Sequence, residues 1–403
     1  MRTSLTQAEP CSVPRSNGHK SKSLGSVRSR LDLPFHIFIA IAVLIAGAGC
    51  RRSGAFTYLS ENKTATENRN VTPTEYVAGS GLDIQTPAGS IDAESDSSLK
   101  EIKITAKVSA FGKTDEEARA RLQEVKVKTT RRPDGVLEIV AEFPKTDNGI
   151  AGDCSFVVRV PDAKGARLKT GNGSLTVKGL GGAAELDTSV GSITASDQGG
   201  NLSANSGNGS ISITRTKGEV RASTSVGGLK IEGTSGAVSA KSGNGSIEVK
   251  SAGGDVKADT SVGSISIHDS AGAVTATGGN GSITIAGARN VKAKVSVGAV
   301  KIENAGGDVE AGSGNGSVVF NSAQDSNPSF KLETSVGSIS VHLHASATGN
   351  IEAATSVGNV TINGSRKPES VTGERSSKKI LLHESGPASR IQSGNGSITI
   401  TLD

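Results

Sequence analysis

The feature that most limits what this chain can become is a glycine that returns about every eighteen residues. The Gly preceding Ser-Ile or its equivalent falls at Gly173, Gly191, Gly209, Gly227, Gly245, Gly263, Gly281, Gly298, Gly316, Gly337, Gly358 and Gly396. The separations are 18 six times, then 17, 18, 21, 21 and 38. A fixed period of this kind marks a repeat architecture, in which each copy buries its apolar face only against its neighbours.

The columns flanking the anchor define the copy. Seven residues before it stand Val220, Val238, Val256 and Val274, and five before it Ala222, Ala240, Ala258 and Ala276. Two and four residues after it come pairs such as Ile211 and Ile213, Ile265 and Ile267, and Ile283 and Ile285. Apolar side chains at alternate positions on both sides of a Gly-Ser break describe two short strands facing one interior. The Gly permits the corner because it has no Cβ. The expected fold is all-β, a β-solenoid of about 18-residue repeats, each rung hydrogen-bonded to the next about 4.8 Å away. Twelve such rungs make a rod of about 55 Å. The absence of Trp, with only 2 Tyr and 8 Phe, suits a narrow interior filled by Ile, Val and Ala.

The copies come in two versions. Asn172, Asn208, Asn244, Asn280 and Asn315 precede alternate anchors, and Val190, Val226, Val262 and Val297 precede those between. Three positions before the anchor, Ser tends to accompany Asn and Thr to accompany Val. Two readings follow. A 36-residue coil would stack Asn on Asn as an amide-bonded ladder. Alternatively, two 18-residue rungs were duplicated together and the alternation records ancestry. Near the C-terminus the rhythm fails: Val357 stands where Asn is due, and "GERSSKKILLHES" occupies the next copy's place, which reads as a degenerate rung. The final "GSITITLD" has no evident cap and reads as an open edge for docking or self-association.

Residues 1–49 read as a signal peptide. Lys20, Lys22, Arg28 and Arg30 precede an apolar run from Phe35 to Ala46, then Gly47, Ala48 and Gly49. That run is short of the roughly 20 residues that span a bilayer. Cys50 follows directly, as in a bacterial lipoprotein signal, where it would be lipidated; Gly47 stands where Leu is usual. Residues 50–75 read as a polar linker. Residues 76–165 read as a β-rich N-terminal region with a helix near 114–125, where Thr114 and Glu117 form a capping box and Ala118 and Leu122 share a face. The solenoid is placed at 166–403.

Net charge is +5, but residues 1–49 hold six basic and two acidic side chains, leaving +5 − 4 = +1 for the remainder. Nucleic-acid binding therefore loses its main support. Of three cysteines, Cys11 lies in the leader and Cys50 at its end, so Cys154 has no partner for a disulfide in the mature chain.

Three stretches carry a family resemblance: "DEEARARLQEVKV" followed by "VLEIVAEF", then "SFVVRVPDAKGARLKTGNGSLTVKGLGG", and the recurring Gly-Ser-Ile turns. Over residues 80–403 the chain resembles the bacterial "putative adhesin" family, a domain of unknown function. The resemblance implies an exported cell-surface β-repeat protein and brings no catalytic residues with it.

Motifs for chemistry do not hold up. "FGKT" lacks the phosphate loop's first Gly, Lys107 standing in its place. "TGGNGSITI" has Ile283 where the calcium-binding β-roll motif has Asp. "GSGNGS" lacks dinucleotide-binding spacing. A polysaccharide-cleaving β-helix enzyme needs clustered acids, yet Asp187, Asp255, Asp259 and Asp308 are scattered over the copies. His342 and His344 flank one residue and read as a solvated pair more readily than as metal ligands. The sequence thus implies no catalytic site, metal or cofactor. It points to a surface-tethered scaffold or adhesin with a protein or glycan partner and a membrane anchor. A polysaccharide-active enzyme and a structural or envelope-stress component are the alternatives.

Overall fold

Each copy forms one complete turn of the solenoid, because its two apolar stripes meet across a single Gly corner. In this computed structural model residues 63–73, 76–146, 149–323 and 326–403 are described. The signal segment 1–49, Cys50 and residues 51–62 of the stretch read as a linker lie outside them. The rest of that stretch is not linker throughout, since Lys63–Val71 is a strand of one of the sheets.

The copy around Gly263 is representative. Strand Val256–Val262 lies in one sheet and strand Ile265–Ser270 in the other. Ala258 pairs in parallel with Ala240 on one side and Ala276 on the other. Ile267 likewise lies between Val249 and Ile285. The stacking offset is therefore one 18-residue copy, and the 36-residue coil does not form. Repetition builds two long sheets of 16 and 17 strands, largely parallel. Between them runs a single dry core whose Val, Ala and Ile columns are essentially unexposed.

The stack begins earlier than its regular spacing indicates. Strands Gly81–Ala88 and Ile91–Ser95, joined at Gly89, pair in parallel with Gly165–Asn172 and Leu175–Lys178. They form the first rung, although they lie within the stretch read as a separate N-terminal region. The residues between the first and second rungs close the end of the rod. Gly152–Val160 pairs with Ile91–Ser95, and Lys103–Gly112 and Lys63–Val71 extend that sheet antiparallel. On the other sheet Leu137–Glu142 pairs with Gly81–Ala88 and carries Lys126–Arg131. The helix Asp115–Glu124 starts at Thr114, whose hydroxyl accepts from Glu117 N, and buries Ala118 and Leu122. Arg69 donates to the carbonyls of Leu122 and Val125 at its end, where a cation is favoured. None of the helices among the described residues is long and apolar enough to cross a membrane.

The other end departs from chain order. Ala388–Asn395 inserts between Phe330–Val336 and Gly349–Val357. Ile398–Leu402 likewise inserts between Ile339–Leu343 and Val360–Gly364. The final "GSITITLD" is therefore an interior strand, not the open edge expected of it, because its Ile and Leu side chains need cover on both sides. Nor is "GERSSKKILLHES" a degenerate rung. Its strand Ser377–His383 pairs antiparallel with both Gly349–Val357 and Ser370–Gly373, covering the last rung. The spatial order of corners is Gly89, Gly173 through Gly337 in sequence, then Gly396, then Gly358.

A large-to-small change in the core should be felt locally and strongly. Ile285 is fully buried between Ile267 and Ile302. Ile285→Ala should lower unfolding free energy by about 2–5 kcal/mol in chemical denaturation.

Candidate functional site: the corner ridge

At every predicted structural turn the backbone of one rung closes on the next. A Cβ placed on Gly173, Gly191, Gly209, Gly227, Gly245, Gly263, Gly281, Gly298 or Gly316 would lie 2.0–2.3 Å from the carbonyl oxygen of the preceding corner glycine. No side chain fits there, so glycine is required by contact and, at every one of these corners but Gly209, by a positive φ as well. The same carbonyl accepts a buried hydroxyl from the next rung: Thr188 to Gly173 at 3.0 Å, Ser206 to Gly191 at 2.8 Å, Thr224 to Gly209 at 2.9 Å, Ser242 to Gly227 at 3.0 Å. The sequence showed the Ser/Thr column, but its role depends on which rung lies beneath. Gly278 and Val295 interrupt the file, the valine reaching to 3.2 Å from where a Cβ on Gly278 would stand.

Beside the glycines the alternating column forms an exposed ridge. Asn172 neighbours Val190, and Val190 neighbours Asn208. The order continues through Val226, Asn244, Val262, Asn280, Val297 and Asn315. Asparagine never stacks on asparagine, so the candidate Asn ladder at Asn172, Asn208, Asn244, Asn280 and Asn315 is not formed. The valines are about half exposed, at 47–48% for Val190, Val226, Val262 and Val297, and the asparagines are exposed.

The residue before each explains the alternation. It is Gly in Asn rungs and Ser in Val rungs. A Cβ on Gly207, Gly243 or Gly279 would fall 2.4, 2.4 or 2.3 Å from the carbonyl oxygen of Ser189, Ser225 or Ser261 below. A Ser-Val rung thus directs a carbonyl into space that only a Gly-Asn rung leaves free. The C-terminal insertion obeys the same rule. Asn395 lies between Val336 and Val357, and a Cβ on Gly394 would meet the Ser335 oxygen at 2.4 Å. Alternation that fails in sequence holds in space, so packing rather than ancestry alone maintains it.

The polar faces are occupied by contacts within and between rungs. Asp255 Oδ1 accepts from Ala273 N at 2.8 Å, Asp308 Oδ1 accepts from Ser329 Oγ at 2.7 Å, and Asp187 stands 4.0 Å from Lys169 Nζ. Asp259 is in register with Lys241 and Thr277. Asp255 and Asp259 belong to one rung, and Asp187 and Asp308 to two others. Glu310 binds Lys292 at 2.8 Å and Lys294 at 2.6 Å, and these two ammonium groups hold its carboxyl down at about 2. His342 Nε2 lies 3.5 Å from Asp403, whereas His344 Nδ1 meets Ser346 Oγ at 3.3 Å. In the N-terminal cap, burial pushes the Cys154 thiol up to about 12, with Asp153 adding to it, and burial also raises Asp153. Cys50 lies outside the described residues.

Residues 232–401 match the family model Toastrack DUF4097, so the resemblance is upheld over that stretch. No curated protein matches. One similar solved structure is described as a "putative cell adhesion protein" from Clostridium sporogenes. It is 13% identical, with 85% of this chain and 100% of that one covered and a TM-score of 0.20. A second, described as a "putative adhesin" from Bacteroides fragilis, is 17% identical, with 69% and 97% covered and a TM-score of 0.28.

The steric rule gives an asymmetric pair of substitutions. Gly243→Ser forces a Cβ onto the Ser225 carbonyl and should cost about 1–3 kcal/mol. Ser225→Gly removes no such contact and should cost no more than about 1 kcal/mol; denaturant midpoints of the two variants would show the difference. Glu310 gives a pH dependence. Its folded-state pKa lies below its unfolded value, so its ion pairs stabilise fully above about 4.5 and lose that contribution as pH falls toward 2. Glu310→Gln should therefore flatten the fall in melting temperature over that window.

Proposed function

We propose that this chain is an exported, lipid-tethered interaction rod of adhesin type, without catalytic chemistry of its own. The observation that carries this reading is the ridge. Half-exposed valines recur at every second rung, flanked by asparagines that can donate and accept hydrogen bonds. Such a row suits many weak contacts with an extended protein or glycan at a cell surface rather than one deep site. The Cys50 signal pattern supports a membrane anchor, with residues 51–62 leading to the folded part. Near-neutral charge after the leader argues against nucleic acid.

The hydrolase alternative is less well supported. A glycosidic acid needs a carboxyl whose pKa is raised beside a second carboxylate. Glu310 is shifted the other way, and Asp255 and Asp308 are committed to neighbouring rungs. In a screen of surface glycans and proteins against the full chain, the combined change Val226→Thr, Val262→Thr and Val297→Thr should weaken binding while leaving the melting temperature nearly unchanged. Turnover of any glycan would reverse the non-enzyme reading, and ridge substitutions without effect on a bound partner would favour a purely structural component. A mature N-terminus unmodified at Cys50 would remove the anchor.

A further inference from the structure

The two rungs that flank the inserted terminal copy cannot stack on each other. Phe330–Leu343 and Gly349–Gly364 follow one another in sequence, yet both are of the Ser-Val type, with Ser335-Val336 in one and Ser356-Val357 in the other. Direct stacking would set the Ser356 Cβ against the Ser335 carbonyl, the contact that Gly394 avoids at 2.4 Å. The fold leaves a slot one rung wide that accepts a Gly-Asn copy. We propose that this slot is a strand-acceptor site whose occupant can come from a second copy of this chain, through exchange of residues 388–402.

The bonds that hold the occupant come from the slot walls. Gly337 N donates to Asn395 O at 2.8 Å and Ile339 N to Ser397 O at 3.0 Å on one wall. Gly396 N donates to Val357 O at 2.8 Å and Ile398 N to Asn359 O at 2.9 Å on the other. Ser393 Oγ reaches Gly337 O, and Thr355 Oγ1 reaches Gly396 O. The same segment from another molecule would form all six. The hinge that decides whose segment enters is short and solvent-facing: Glu384, Ser385 and Gly386 are exposed, and Pro387 follows. Short hinges of this kind favour swapping, which costs little because the interface already exists. Ile391, Ile398, Ile400 and Leu402 are at most 1% exposed, so the slot exchanges one strand for another instead of standing empty. Reciprocal exchange closes a two-fold dimer joined at the end opposite the N-terminal cap. This stands on register and sterics and does not depend on the rod's external ligand.

Cross-linking in the full chain tests it. Ser340 and Thr399 are register neighbours across one slot wall. With Cys11→Ser and Cys50→Ser as background, Ser340→Cys and Thr399→Cys would be placed on separate chains, mixed at high concentration, warmed below the melting temperature and oxidised. A disulfide-linked dimer joining positions 340 and 399 is expected, and none from the mid-rod register pair Ser266→Cys and Thr284→Cys. Both changes placed in one chain should cross-link internally without warming. Absence of that internal link would overturn the insertion itself. An internal link without any intermolecular 340–399 dimer, or equal dimer from the mid-rod pair, would overturn the exchange.

Discussion

One contact governs the molecule: the carbonyl of each corner glycine points along the rod axis into the backbone of the next rung. It sits where a Cβ would be and, at most rungs, accepts a buried hydroxyl, while the glycine's own N–H donates the ladder bond to the next rung. A polar group enclosed this closely would be destabilising if left unpaired. Except where Gly278 and Val295 interrupt the file, the paired Ser and Thr hydroxyls remove that penalty and fix the axial position of the rung. The dry Ile, Val and Ala columns supply most of the stability, but they would tolerate slippage along a uniform stripe. The corner does not.

Much of this was legible from the spacing alone. The two strands per copy, the Gly corners and the narrow aliphatic core follow from residues at alternate positions around Gly209, Gly263 and Gly281. Three things were not. The first rung, at Gly89, hides because 84 residues separate it from Gly173, and a period cannot be seen in a single displaced copy. The Gly/Ser alternation was visible, but its cause is a carbonyl of a different copy, which no single strand reveals. The terminal insertion was visible only as an irregularity at Val357, since spatial order and chain order differ there.

The ridge and the charged faces divide the surface between two tasks. Charged side chains such as Asp255, Asp308 and Glu310 bind neighbouring rungs, so their charge is largely spent inside the rod's own surface lattice. The half-exposed valines and the asparagines beside them lie on one line free of such ion pairs. A surface organised in this way offers repetition rather than a focus.

Both ends of the stack are assembled from segments distant in the chain. Strand Gly81–Ala88 leaves the ribosome well before Gly165–Asn172, its partner, and Ala388–Asn395 is made only after both of its neighbours. Growth therefore cannot proceed from one terminus to the other by adding each copy as it emerges. The first rung waits for Gly165–Lys178 to emerge, and the far end is completed only when the tail threads inward.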